Sequence, residues 1–176
     1  MTTTRVFIGG SRAVARIPSP VRQRLENIVE RGHTVLVGDA NGADKAVQRI
    51  LHDFGYTHVV VFCAGGSCRN NLGAWPTRSI DAAARKGTRE FYTAKDRAMT
   101  DEASVGLMLW DGESAGTLAN VLRMLQQEKP VVVFRTDTKT FVDLKRLSDW
   151  SALSIPTELR AEVESAERLT AQRDLF

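Results

Sequence analysis

Three stretches of this chain gather residue types suited to holding an anion. Gly9-Gly10-Ser11-Arg12 joins two residues that allow close backbone approach to a hydroxyl and a guanidinium fork. Gly38 to Asp44 leads through Gly42 and Asp44 straight into a helical pattern. Asp111-Gly112-Glu113-Ser114-Ala115-Gly116-Thr117 does the same, placing Ser114, Gly116 and Thr117 where a helix start exposes unpaired N–H groups. Residues 64 to 97 add cations, since Arg69, Arg78, Arg85, Lys86, Arg89, Lys95 and Arg97 stand against only Asp81, Glu90 and Asp96. That excess suits a phosphate-bearing ligand and is thin for a duplex-DNA binder. A solvated helix face is the bland alternative.

Catalysis would need carboxylates. Cleaving an N-glycosidic bond builds oxocarbenium character that a carboxylate must stabilise, and an acid must assist the departing base. Asp111 and Glu113 are the candidates, Asp111 being at the end of a predicted central strand. Asp39, Asp44 and Asp96 also offer carboxylates, but Asp44 fits a charge complementing a helix dipole and Asp96 fits a partner for a nearby arginine. Cys63 reads as a buried, inert thiol at a strand end, and Cys68 as a loop thiol that Arg69 could activate. With no second Cys/His pair at finger spacing, and with His33, His52 and His58 in surface-like patterns, no metal site is expected. Trp75 either stacks on a base or pins its loop. Walker A, Gly-x-Gly-x-x-Gly and serine-hydrolase signatures are missing, so no cofactor is expected.

The elements that position these residues are written in apolar runs. Val6-Phe7-Ile8, Thr34 to Val37, Val59 to Phe62, Val105 to Trp110 and Val131 to Phe134 do not alternate with polar residues, as befits strands buried on both faces. Helical stripes lie between them: Val21, Leu25, Ile28 and Val29; Ala46, Val47, Ile50, Leu51 and Phe54; Leu118, Val121, Leu122 and Leu125. Ser19-Pro20 suits an N-cap and first helical residue. This alternation predicts a doubly wound α/β sheet of about five parallel strands over residues 1 to 136. Residues 63 to 80 read as a long loop. Residues 137 to 176 read as a helical extension, with a helix starting near Pro156-Thr157 and striped by Leu159, Val163, Ala166 and Leu169. It would pack on the domain or at a dimer contact.

Composition sets the outer bounds. At 176 residues and 43% hydrophobic, the chain fits one domain that needs no disulfide or metal to fold. Net charge is +3, and the last forty residues carry six Lys/Arg against eight Asp/Glu, so the positive excess lies upstream. No apolar run approaches the ~18 residues that span a bilayer, and no apolar segment precedes the first strand. A cytoplasmic protein without membrane partners is the expectation.

Taken in order, strand-Gly-Gly-Ser-Arg, Val37-Gly38 through Gly42-Ala43-Asp44, Lys95-Asp96-Arg97-Ala98-Met99 and Trp110-Asp111-Gly112 through Ser114-Ala115-Gly116-Thr117 resemble the SLOG superfamily. That group includes cytokinin-activating phosphoribohydrolases, DprA-type DNA-processing proteins and the YspA/YpsA-like proteins. The likeness is to the YspA-like branch, over roughly residues 5 to 135. It implies a Rossmann-like fold, a nucleotide-derived ligand and a homodimer or higher oligomer. Gly9, Gly10, Ser11 and Arg12 match the first ligand loop of the superfamily, Gly42 and Asp44 its turn into the second helix, and Gly116 and Thr117 its phosphate loop. The phosphoribohydrolases carry a catalytic Glu three residues after that Thr, where this chain has Asn120. They also carry an Arg four residues before the Met, where this chain has Lys95, and Ser114-Ala115 replaces their Gly-Gly pair. The leading expectation is therefore binding of a nucleotide or nucleotide-derived small molecule, as a sensor or accessory protein, by these loops with Arg69, Lys95 and Arg97. An N-glycosidic hydrolase and DprA-type single-stranded nucleic-acid binding are the alternatives.

Overall fold

The computed structural model describes residues 3–173, with the side chains of 169–171 and 173 outside the described set. Seven strands form one sheet in the order β4-β3-β2-β1-β5-β6-β7. They are β1 (Arg5–Gly10), β2 (Thr34–Gly38), β3 (Val59–Ala64), β4 (Thr77–Ile80), β5 (Val105–Trp110), β6 (Val131–Arg135) and β7 (Thr140–Leu144). All pair in parallel except β7, which returns antiparallel on β6. The helices are α1 (Ser19–Glu30), α2 (Ala43–Asp53), α3 (Arg89–Glu102), α4 (Ala115–Gln126) and α5 (Thr157–Arg173), with a 3-10 helix at Leu147–Ala152. No helix among the described residues is long and apolar enough to cross a membrane.

Each central strand feeds two cores because successive side chains point to opposite faces. Phe7 and Met108 join α3, α4 and the C-terminal elements, whereas Val6, Ile8, Leu107 and Leu109 join α1 and α2. The periodic stripes of α1, α2 and α4 face these cores, and Leu118, Val121 and Leu125 are fully enclosed.

Several expectations need correction. The sheet has seven strands rather than five. β4 closes the supposed loop 63–80 as an edge strand, and β7 opens the supposedly helical extension. Both are short edges with solvent-facing positions, so neither displays the continuous apolar run of a doubly covered strand. Pro18, not Ser19, is the N-cap of α1, and no side chain caps that helix. Cys63 and Cys68 are joined as a disulfide, their Cα atoms 5.0 Å apart, so neither is the thiol expected. α5 does begin at Thr157 and packs on α4, but the Leu169 side chain lies outside the described residues. Trp75 pins its loop: it is buried and its Nε1 donates to the Tyr56 carbonyl at 2.8 Å.

Candidate functional site

β1 sits in the middle of the sheet with β2 on one side and β5 on the other, so chain direction reverses its progress across the sheet there. Beyond the carboxyl ends of β1 and β5, where such sheets take their ligands, lies a cavity of about 520 Å³. Two turns form one wall. Ser11 N–H donates to the Leu109 carbonyl at 2.9 Å, and the Ser11 hydroxyl meets Thr117 Oγ1 at 3.4 Å and accepts from Asp111 N–H at 3.3 Å. Ser11 is thus an internal tie between the loops after β1 and β5, almost wholly enclosed.

Ser114 caps α4, its Oγ accepting from Thr117 N–H at 3.4 Å. Asp111 Oδ1 accepts from the N–H groups of Glu113 (3.0 Å) and Ser114 (2.9 Å). Burial alone would raise the Asp111 pKa, but these bonds and the Ser11 hydroxyl hold it below the usual carboxylate range. Asp111 therefore organises the turn and stays ionised. Gly116, exposed and with open space beside it, presents the start of α4 to the cavity.

The cavity floor is a buried charge cluster. Lys95 is 4% exposed, with Nζ 3.1 Å from Asp96 Oδ1 and 4.0 Å from Asp39 Oδ1. Burial would lower the Lys95 pKa, yet Asp96, Asp44 and Asp39 together raise it. Gly38 makes this possible: a Cβ there would stand 2.4 Å from Asp44 Oδ2 and 2.8 Å from Lys95 Nζ. Asp44 also accepts from Ala40 N–H at 3.2 Å, but burial dominates and pushes its pKa up to about 6. Asp39 goes the other way. Its burial is outweighed by Arg69, whose backbone N–H and Nη2 both donate to it at 2.8 Å.

The rim is different. Arg12 and Arg89 are exposed, and Arg69 keeps about a third of its side-chain surface in solvent. The guanidinium groups of Arg69 and Arg12 lie 4.4 and 5.6 Å from the centre of the Tyr92 ring. Arg89 opens α3, which Thr88 caps, and reaches Glu162 of α5 at 3.3 Å.

Of the residues singled out in the sequence, Gly9, Gly10, Arg12, Asp44, Arg69, Lys95, Asp111, Ser114, Gly116 and Thr117 line the cavity together. Ser11 and Gly38 stand behind it. Gly42 closes the turn against the Arg12 backbone at φ +84°, where a Cβ would meet the Arg12 carbonyl. Glu113 is exposed and does not line the cavity, nor does Arg97, which lies two residues from Lys95 on another face of α3. Asp96 pairs with Lys95, where an arginine was expected. Tyr92 lines the cavity although no pattern marked it, and Asn120, which the resemblance marked only as the replacement of a catalytic Glu, lines it too. Asp39, Cys63 and Cys68 bring potential ligand atoms within 4.8 Å of one another, but the sulfurs are bonded together and Asp39 is engaged by Arg69.

No known family description matches the chain, and no curated protein does. Solved structures do. DNA processing protein A (DprA) from Streptococcus pneumoniae is similar at a TM-score of 0.56 and 14% identity over 74% of this chain. This chain spans 50% of the length of that one. DprA from Helicobacter pylori, reported for its single-stranded DNA binding mode, is similar at a TM-score of 0.58 and 14% identity, covering 95% of this chain and 81% of its own. These likenesses establish a Rossmann-like α/β fold of the kind found in DprA proteins.

Proposed function

We propose that the chain binds single-stranded nucleic acid, seating one nucleotide unit in the cavity between the ends of β1 and β5. Its phosphate lies at the Gly116–Thr117 start of α4, within reach of the rim arginines. The observation that carries this is the gathering of Arg12, Arg69 and Arg89 around the cavity that the start of α4 lines, above a floor whose own charges are already paired. The fold shared with a single-stranded DNA binder supports the same reading. Tyr92, stacked with the two guanidinium groups, offers an aromatic surface of the kind that holds unpaired bases. The test is fluorescence anisotropy with a labelled oligothymidylate over a range of salt. Affinity should fall steeply with salt, and Arg12→Ala should weaken it. Affinity that does not respond to salt would refute the reading.

A second reading, a free nucleotide-derived small molecule, is favoured by the cavity volume, which matches a single ligand. In its hydrolytic form Asp44, pushed up to about 6, would be the acid, and Asp111, held ionised, the charged carboxylate. Chromatography for free base released from nucleoside monophosphates separates this reading from the first. Release that vanishes in Asp111→Asn would favour it.

A further inference from the structure

Asn120 lies on the same face of α4 as Gly116 and Thr117 and lines the cavity while only 6% exposed. Its Oδ1 accepts from Arg123 Nη1 at 2.7 Å. A guanidinium has donors and no acceptor, so this contact fixes which end of the amide faces Arg123. The NH2 end points the other way and has no acceptor among the described residues. Arg123 cannot swing aside, because Glu167 of α5 accepts from its Nε and Nη2 at 2.9 Å each. Both side chains of that pair are more than nine-tenths buried. Trp110 Nε1 is the one buried side-chain polar atom without a partner among the described residues, so the Asn120 NH2 is not sealed in the interior but opens to the cavity, where a ligand can accept from it.

We infer that Asn120 is a specificity-determining residue of the site proposed above, on which this inference rests. Its NH2 donates to a pentose oxygen of the nucleotide unit whose phosphate lies at Gly116–Thr117. One helical turn, about 5.4 Å, separates the two positions along α4, a span that suits the step from a phosphate to its sugar. Because the amide is neutral, it adds a hydrogen bond without adding charge. Arg123 and Glu167 are positioning residues that act through Asn120, which makes α5 part of the binding apparatus although none of its described side chains lines the cavity.

The experiment is anisotropy with a labelled oligothymidylate across a salt series, on the wild type, Asn120→Ala, Arg123→Lys and the double variant, with melting temperatures alongside. Asn120→Ala should lower affinity about tenfold while leaving the salt slope unchanged, since no phosphate contact of a cation is lost. Lysine can stay with Glu167 but cannot fork to both partners. Arg123→Lys should therefore weaken binding in the wild type and add nothing in the Asn120→Ala background, while lowering the melting temperature in both. Unaltered affinity in Asn120→Ala, a changed slope, or equal affinity losses from Arg123→Lys in both backgrounds would overturn the inference alone. Should Arg123→Lys fail to fold, Asn120→Ala decides by itself. Wild-type protein that does not bind the oligonucleotide would overturn the proposed function and this inference with it.

Discussion

Lys95 on the cavity floor and the arginines on its rim carry the same charge in opposite situations. Lys95 is enclosed by three carboxylates, and its charge is answered before any ligand arrives. Arg12 is open to solvent and has the Tyr92 ring beside it, with no carboxylate paired to it among the described residues. Arg69 is intermediate, with its inner edge on Asp39 and its outer surface toward Tyr92 and water. A buried, paired cation shapes a site, and an exposed one supplies the field that a phosphate feels. Counting basic residues along the sequence weights both alike.

That contrast can be broken most forcefully at the floor. Lys95→Met should destabilise the fold by about 3–5 kcal/mol, because three carboxylates lose a shared buried partner. Urea denaturation measures this. Any folded Lys95→Met protein should keep the wild-type salt slope for oligonucleotide binding, and a shallower slope would mean that the floor charge reaches the ligand after all.

The disulfide tests how firmly Arg69 is held between floor and rim. It closes the short loop from β3 to Cys68, next to Arg69. Cys63→Ser should cost about 2 kcal/mol by loop entropy, seen as a lower urea midpoint under non-reducing conditions. Oligonucleotide affinity should fall with it if the loop orients the Arg69 guanidinium.

The folded pKa of Asp44, about 6, lies above the ordinary value of 3.8, so the folded state holds a proton that the unfolded chain has released. Its contribution to stability is present below about pH 4 and is lost as pH rises through 6. Stability of the wild type should therefore drop more between pH 4 and 6 than that of Asp44→Asn, by urea midpoints at each pH. Asp39 and Asp111, both held low, act in the opposite sense and at lower pH.

The sequence announced much of this framework and little of the division of labour within it. Five strands carried continuous apolar runs, and four of the five helices carried stripes, because each had to bury a face. β4 and β7 stayed hidden because an edge strand needs only partial cover. α3 stayed hidden because Lys95 occupies an interior position between Phe91 and Met99, interrupting the stripe that would have marked the helix. The loops after β1, β2 and β5 were legible from their glycines and helix-start chemistry. Whether Ser11 faced a ligand or tied two loops together depended on pairings about a hundred residues apart. The same holds for Asn120. As a letter it marks a missing carboxylate, and only the contact across 44 residues from Glu167 to Arg123 turns it into an oriented donor.

The proposed function requires that rim arginines, and not the buried lysine, meet a nucleic-acid phosphate. The most direct measurement is the salt dependence of oligothymidylate affinity for the wild type and Arg12→Ala. Arg12→Ala should lose about fivefold in affinity, with a slope of log affinity against log salt shallower by about 0.7, as for one lost contact to a single strand. Equal slopes with equal affinities would contradict the proposed function.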